Sequence, residues 1–277
     1  MTSARMPRPF RGFRPGESHA KGFLRILKRL AAEVKRANGS SPGPKSDPVH
    51  QTRVLVKRLR ALLWLAGSAI SPPEKNRIQS QLRQASHLLA PQRDQEVTQS
   101  LLKKLAQPPD GIARKPKRAK GTEPAQDTNA AQRASSLLLL ALRDFTIQAR
   151  TTTKWPSRQA RLAKACRATK KAGKKALKTE LPARFHDWRK KAKRLLYLLQ
   201  WNRSACGEHI ALLIKRVDKL QRRLGAYHDC VIAEEHLMKN SSDKDEVERT
   251  IKQLQKRGSR LQKAVRKLYG KLGSIKP

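Results

Sequence analysis

Acidic side chains are scarce in this sequence: 21 aspartates and glutamates stand against 63 lysines and arginines over 277 residues, a formal net charge of +42. Such a deficit leaves no cluster of carboxylates of the kind two-metal phosphoryl chemistry requires. Aromatic residues make up only 4%, which gives little support for base stacking along a single-stranded nucleic acid. The three cysteines, Cys166, Cys206 and Cys230, show no C-x-x-C spacing and form an odd set, so neither a zinc cage nor a disulfide framework is expected, and a reducing cytoplasm is. Long apolar runs are missing too. The longest, Leu137 to Leu142, falls far short of the roughly 18 to 20 residues of a spanning helix, and the basic N-terminus lacks the apolar centre of a secretory signal. There is no P-loop, no G-x-S-x-G and no H-E-x-x-H. The expectation is a protein that is not an enzyme and needs neither cofactor nor metal.

What is present is positive charge and helical periodicity. A surface of this charge repels itself and attracts polyanions in a salt-dependent way. Apolar residues are 38% of the chain and recur at three and four rather than alternating, which predicts an all-α fold. The stretch from Val49 to Leu65 carries two faces on one helix. Thr52, Val56, Leu59 and Leu63, widened by Leu55, Leu62 and Ala66, form a stripe for burial. His50, Arg53, Lys57 and Arg60 form a cationic rail of about 15 Å at the helical rise. Asp47 is a good N-cap and Pro48 a good first residue, so His50 falls in the first turn, near the positive end of the helix dipole.

The design returns 136 residues later. His186, Arg189, Lys193 and Arg194 align with His50, Arg53, Lys57 and Arg58, with Lys190 beside them, and Trp188, Ala192, Leu195 and Leu199 repeat the apolar stripe. Arg60 meets Leu196, so the two copies differ at this end of the rail. Leu89 to Asp94 aligns with Leu224 to Asp229, which puts Asp94 and Asp229 early in a following helix, as orienters of basic side chains or as first-turn dipole partners. An internal duplication is the simplest account. Arginine forks, lysine point charges and histidine N–H groups placed at each helical turn suit a linear polymer with repeating charge better than one isolated phosphate.

Further along, helices are predicted over 18–37, from Pro73 to about Ala90, from Pro91 to about Pro108, over 130–150 and over 157–177. The helix with His186 follows, then 208–224, 227–239 and 243–271, giving about five helices per half in antiparallel packing. Residues 1–16 read as a disordered basic arm, 108–129 as a mobile loop rich in Pro, Lys and Gly, and 272–277 as a tail. Lys21, Arg25 and Lys28 in the first half, and Arg161, Lys164 and Lys171 in the second, are candidates to extend the basic surface.

At DPVHQTRVLVKRLRALLWL, FHDWRKKAKRLLYLLQW and the RD and HD pairs after them, the sequence resembles the CHAD family, the helical domain named for its histidines. The resemblance runs from about residue 17 to 271, with halves over 17–152 and 153–271. It implies an all-α body of two pseudo-symmetric antiparallel bundles sharing a basic groove or pore, with inorganic polyphosphate as ligand and polyphosphate granules in the cytoplasm as the place of action. Binding roles then fall to His50, Arg53, Lys57, Arg58, His186, Arg189, Lys193 and Arg194. Arg93 stands where the second copy has His228, so the number of functional histidines stays open. A bound polyanion would raise histidine pKa values, so affinity should strengthen as pH falls from about 8 toward 6. Alternatives are a nucleic-acid binder without sequence preference, a polyphosphate-processing enzyme and, last, a membrane-surface protein.

Overall fold

A computed structural model describes residues 12–39, 48–90, 128–205, 208–240 and 244–273. Among them every regular element is helical. The helices are α1 (His19–Gly39), α2 (Pro48–Ala66), α3 (Pro72–Leu88), α4 (Thr128–Thr151), α5 (Arg158–Thr179), α6 (Pro182–Asn202), α7 (Glu208–Asn240) and α8 (Lys244–Gly273). The expected N-cap Asp47, the helix opened by Pro91 and the loop from 108 to 127 lie outside the described residues, while 128 and 129 already belong to α4.

Two four-helix groups emerge from the packing. In the first, α3 and α1 lie against α4, and α2 touches α1, α3 and α4; in the second, α5 packs on α6, α6 on α7, and α8 on α7 and α5. The groups meet chiefly where α2 lies against α6, with a smaller contact from α2 to α5. The helices carrying the duplicated motif are thus the seam between the halves. Their apolar stripes explain why: Thr52, Leu55, Val56, Leu59, Leu62, Leu63 and Ala66 are buried on α2, and Trp188, Ala192, Leu195 and Leu199 on α6. Burial of each large side chain stabilises by about 1.5–3 kcal/mol. The duplication extends to the helix ends, since α2 and α6 each run into a short 3-10 turn, Gly67–Ala69 and Arg203–Ala205.

Two expectations are corrected. The second half holds one helix where two were expected, because α7 continues through Gly225 and Ala226 without a break. In the first copy α3 ends at Leu88 and Pro91 follows; proline lacks the N–H that a helix interior needs and restricts the residue before it. In the second copy Ala226 takes that place, so the helix runs on. Asp229 consequently lies deep within α7 and cannot serve as a first-turn dipole partner.

The basic arm is the other correction. Gly12 and Phe13, at the end of that arm, are docked: Phe13 is fully buried, its N–H donates to the Trp201 carbonyl at 2.8 Å, and its ring meets Phe23 edge-on at 5.1 Å. Gly12 makes this possible, because a Cβ there would sit 2.0 Å from the Trp201 carbonyl oxygen. At the other end α8 includes 272 and 273, which were assigned to the tail. Residues 1–11 and 274–277 lie outside the described residues.

Two helical glycines should respond oppositely to alanine. At Gly225 a Cβ would lie 3.6 Å from Arg189 Nε, an ordinary contact, so Gly225→Ala should gain about 0.5–1 kcal/mol of helix stability. At Gly173 the Cβ would come within 2.7 Å of the Tyr269 ring and 2.8 Å of Trp188, which is fully buried, so Gly173→Ala should cost about 1–3 kcal/mol. Urea melts of the two variants, compared at equal m-value, check both signs.

Candidate anion-binding cavity

Where α2 crosses α6 the structure contains a cavity of about 470 Å³. Lys57, Arg60, Ala61, Leu63 and Trp64 reach it from α2, Gln79 and Arg83 from α3, and Arg189, Lys190, Lys193, Arg194 and Tyr197 from α6. Seven of these twelve residues are cations and none is a carboxylate. Each helix places them by its period: Lys57, Arg60 and Trp64 share a face at three- and four-residue steps, as do Arg189, Lys190, Lys193, Arg194 and Tyr197.

Partial burial of so many like charges shows in their protonation. Burial first, then repulsion from Arg83, lowers the pKa of Arg60, and burial lowers that of Arg194. Arginine stays charged in spite of such shifts, so the cavity keeps a concentrated positive potential. Backbone carbonyls offset part of the cost: Arg60 Nη2 donates to the Leu82 carbonyl at 2.9 Å. An anion entering this space finds donors already fixed by packing, which is the condition for strong charge-assisted hydrogen bonds.

The duplicated cations are not used symmetrically. Lys57 and its counterpart Lys193 both line the cavity. Arg189 and Arg194 line it, whereas their counterparts Arg53 and Arg58 do not: Arg53 Nη1 donates to the Leu89 carbonyl at 2.7 Å, and Arg58 Nη1 pairs with Glu33 at 3.1 Å. Arg60, which has Leu196 in its place in the second copy, lines the cavity.

The histidines sit apart from its lining. His50 is exposed in the first turn of α2. His186 is half-buried and stands beside His228 of α7, ring centroids 4.3 Å apart. Burial, followed by Lys190 and Arg189, lowers the pKa of His186, with Asp187 pulling the other way.

Among the outlying candidates, Arg25 is held by Glu17, with Nε and Nη2 at 2.7 and 2.6 Å, and that pairing keeps the Glu17 carboxyl at about 2. Lys21, Lys28 and Lys171 are exposed and away from the cavity lining. Arg161 stacks on Trp64 and Lys164 is exposed on α5, and neither lines the cavity. Asp229 is half-buried on α7 next to Cys230, whose thiol pKa it helps raise after burial; Asp94 lies outside the described residues. Arg83 and Gln79 went unnoticed in the sequence, although Lys75, Gln79 and Arg83 form an i, i+4, i+8 stripe on α3 that marks one face. Among the described residues no group of three or more His, Cys, Asp or Glu side chains could hold a metal ion, and no helix is long and apolar enough to cross a membrane.

Among the described residues the chain is a helical domain of two similar bundles with a basic cavity at their seam. The CHAD domain model matches residues 22–238, and the chain belongs to that family, which is associated with polyphosphate binding. The structure is similar to the crystal structure of the CHAD domain from the plant Ricinus communis, with TM-score 0.61, 19% identity and 97% of each chain covered. No curated protein matches the chain.

Arg58 separates a structural cation from a cavity cation. Its side chain and that of Glu33 are each 21% exposed, so Arg58→Gln should cost about 1 kcal/mol after allowance for solvent screening, read as a drop of a few degrees in Tm. Polyanion affinity of the same variant, titrated at fixed salt, should stay within about twofold of wild type.

Proposed function

We propose that the protein binds inorganic polyphosphate without chemical turnover in the cavity between α2 and α6, and that this binding associates it with polyphosphate granules in the cytoplasm. The observation that carries the reading is the lining itself, seven cations from three helices of both halves with no carboxylate among them. A flexible chain of phosphates can enter a space of this size and meet several donors at once. The same lining supports a non-catalytic role, because tight ground-state binding does not accelerate a reaction and among the described residues no carboxylate lines it.

Nucleic acid is the second reading, favoured by one feature, the indole of Trp64 in the cavity wall. One face of that ring is already covered by the Arg161 guanidinium, whose carbon lies 4.0 Å from the ring centroid, which leaves less room for a stacked base. Titration of wild type with long-chain polyphosphate, RNA and ATP across a salt series decides between them. Polyphosphate should displace RNA at equal phosphate concentration. Arg189→Gln with Lys193→Gln should weaken polyphosphate binding at least about tenfold, from loss of two charge-assisted contacts of roughly 1.5–3 kcal/mol each. RNA displacing polyphosphate, or orthophosphate release with Mg²⁺ or Mn²⁺, would favour the rivals.

Protonation adds a second check. His186 starts from a depressed pKa in the free protein, and a polyanion bound near Arg189 and Lys190 raises it. Affinity should therefore be lowest and flat above the pKa of the complex, strengthen as pH falls, and level off only below the depressed pKa of the free form. The gain accordingly continues below pH 6.5, the ordinary histidine value, and a binding series down to about pH 5 at constant salt should show it lost in His186→Gln.

A further inference from the structure

Trp64 ends the cavity on one side, and cations continue behind it. The Arg161 guanidinium lies on the indole at 4.0 Å from its centroid, with Arg194 over the same ring at 5.7 Å. Arg161 Nη2 also donates to the Trp64 carbonyl. The turn after α2 is shaped for this: Gly67 has φ of 63°, and a Cβ on it would approach Arg161 Cζ to 3.1 Å. Lys75 Nζ donates to the Gly67 carbonyl at 3.2 Å. Burial lowers the pKa of Lys75, and Arg161 and Lys164 lower it further; Arg161 is lowered by burial and then by Arg194.

Arg161 and Arg194 thus lie over one indole, Lys75 binds the adjoining Gly67 turn within electrostatic reach of Arg161 and Lys164, and among the described residues none of these four cations forms an ion pair with a carboxylate. The contrast with the first half is direct. Arg25 precedes Arg161 by the same 136 residues that relate the duplicated motifs, and Arg25 is neutralised by Glu17 and by the Gly12 carbonyl at 2.8 Å. Only the second copy leaves this position without an acid.

We propose that Lys75, Arg161 and Lys164 form a second subsite for the same phosphate polymer, joined to the cavity through Arg194, so that a chain longer than the cavity leaves it past Trp64 and over α5. The proposal rests on the reading that polyphosphate occupies the cavity. Arg194 belongs to the cavity lining and to the Trp64 cluster alike, and the α3 stripe of Lys75, Gln79 and Arg83 bridges about 12 Å between the two regions at the helical rise. Stacking on the indole fixes the plane of Arg161, so little rotamer freedom is lost when phosphate arrives. The electrostatic cost of holding these cations together falls when a polyanion lies among them.

Titration calorimetry of the full chain with tripolyphosphate and with long-chain polyphosphate tests it, using wild type, Arg161→Gln/Lys164→Gln, and Lys164→Gln alone. Lys164 is exposed, so its single variant keeps the test valid if loss of the Arg161–Trp64 stack disturbs folding. For the long chain the double variant should lose about tenfold in affinity, and the slope of log affinity against log salt should shrink by about one to two, as expected for two lost phosphate contacts. Lys164→Gln alone should lose part of that affinity and slope. Tripolyphosphate, short enough for the cavity, should bind both variants as it binds wild type. Equal losses for the two chain lengths, or unchanged long-chain binding in both variants, would overturn the subsite while leaving cavity binding in place. A wild type that binds neither polymer would overturn the cavity reading and the subsite together.

Discussion

Mutual repulsion among cations held at the seam of two helical bundles is the constraint on which the rest of the structure depends. Seven of them share one cavity lining in which none of the twelve lining residues is a carboxylate. The apolar sides of α2 and α6 make this tolerable. Leu59, Leu62, Leu63, Leu195, Leu198 and Leu199 are essentially buried, and each contributes on the order of 1.5–3 kcal/mol. Charge concentration is therefore sustained by packing on the opposite face of the same two helices. A polyanion lying among these cations would lower the cost of holding them together.

Much of the fold was legible because helical period and duplication are written in residue spacing. The stripes on α2 and α6 are the clearest instance, each buried where its period placed it. The end of the first helix of the second half was also near its expected place, and its start was set by Ser157, whose hydroxyl accepts from the Ala160 N–H. The fusion within α7 was missed because alignment of Leu224 to Asp229 with Leu89 to Asp94 carried the break of the first copy over to the second. A glycine costs a helix only about 1 kcal/mol, while the proline of the first copy removes a hydrogen bond outright.

The site was legible in outline only. Spacing shows which cations share a helix, but it does not show which of them a neighbouring element claims. Glu33 on α1 takes Arg58, and the Leu89 carbonyl at the end of α3 takes Arg53, so two members of the first motif turn away from the space their copies occupy. Arg83 enters from a helix outside the motif. Both outcomes depend on tertiary neighbours distant in sequence, which a periodic pattern along one helix does not encode. His186 lies beside His228 for the same reason: α7 is continuous, so its middle packs along α6.

The docking of Gly12 and Phe13 on Trp201 bears on how the chain is made. Residue 13 leaves the ribosome long before residue 201 is synthesised, so the early bundle can seat the Phe13 ring on Phe23 while its N–H still lacks the Trp201 carbonyl. The contact joins positions separated by most of the polypeptide, and long-range closures of this kind come late in folding. The strap between the N-terminal segment and α6 is thus a clasp fastened after translation of the second bundle, and it ties the seam together from outside only when both copies are complete.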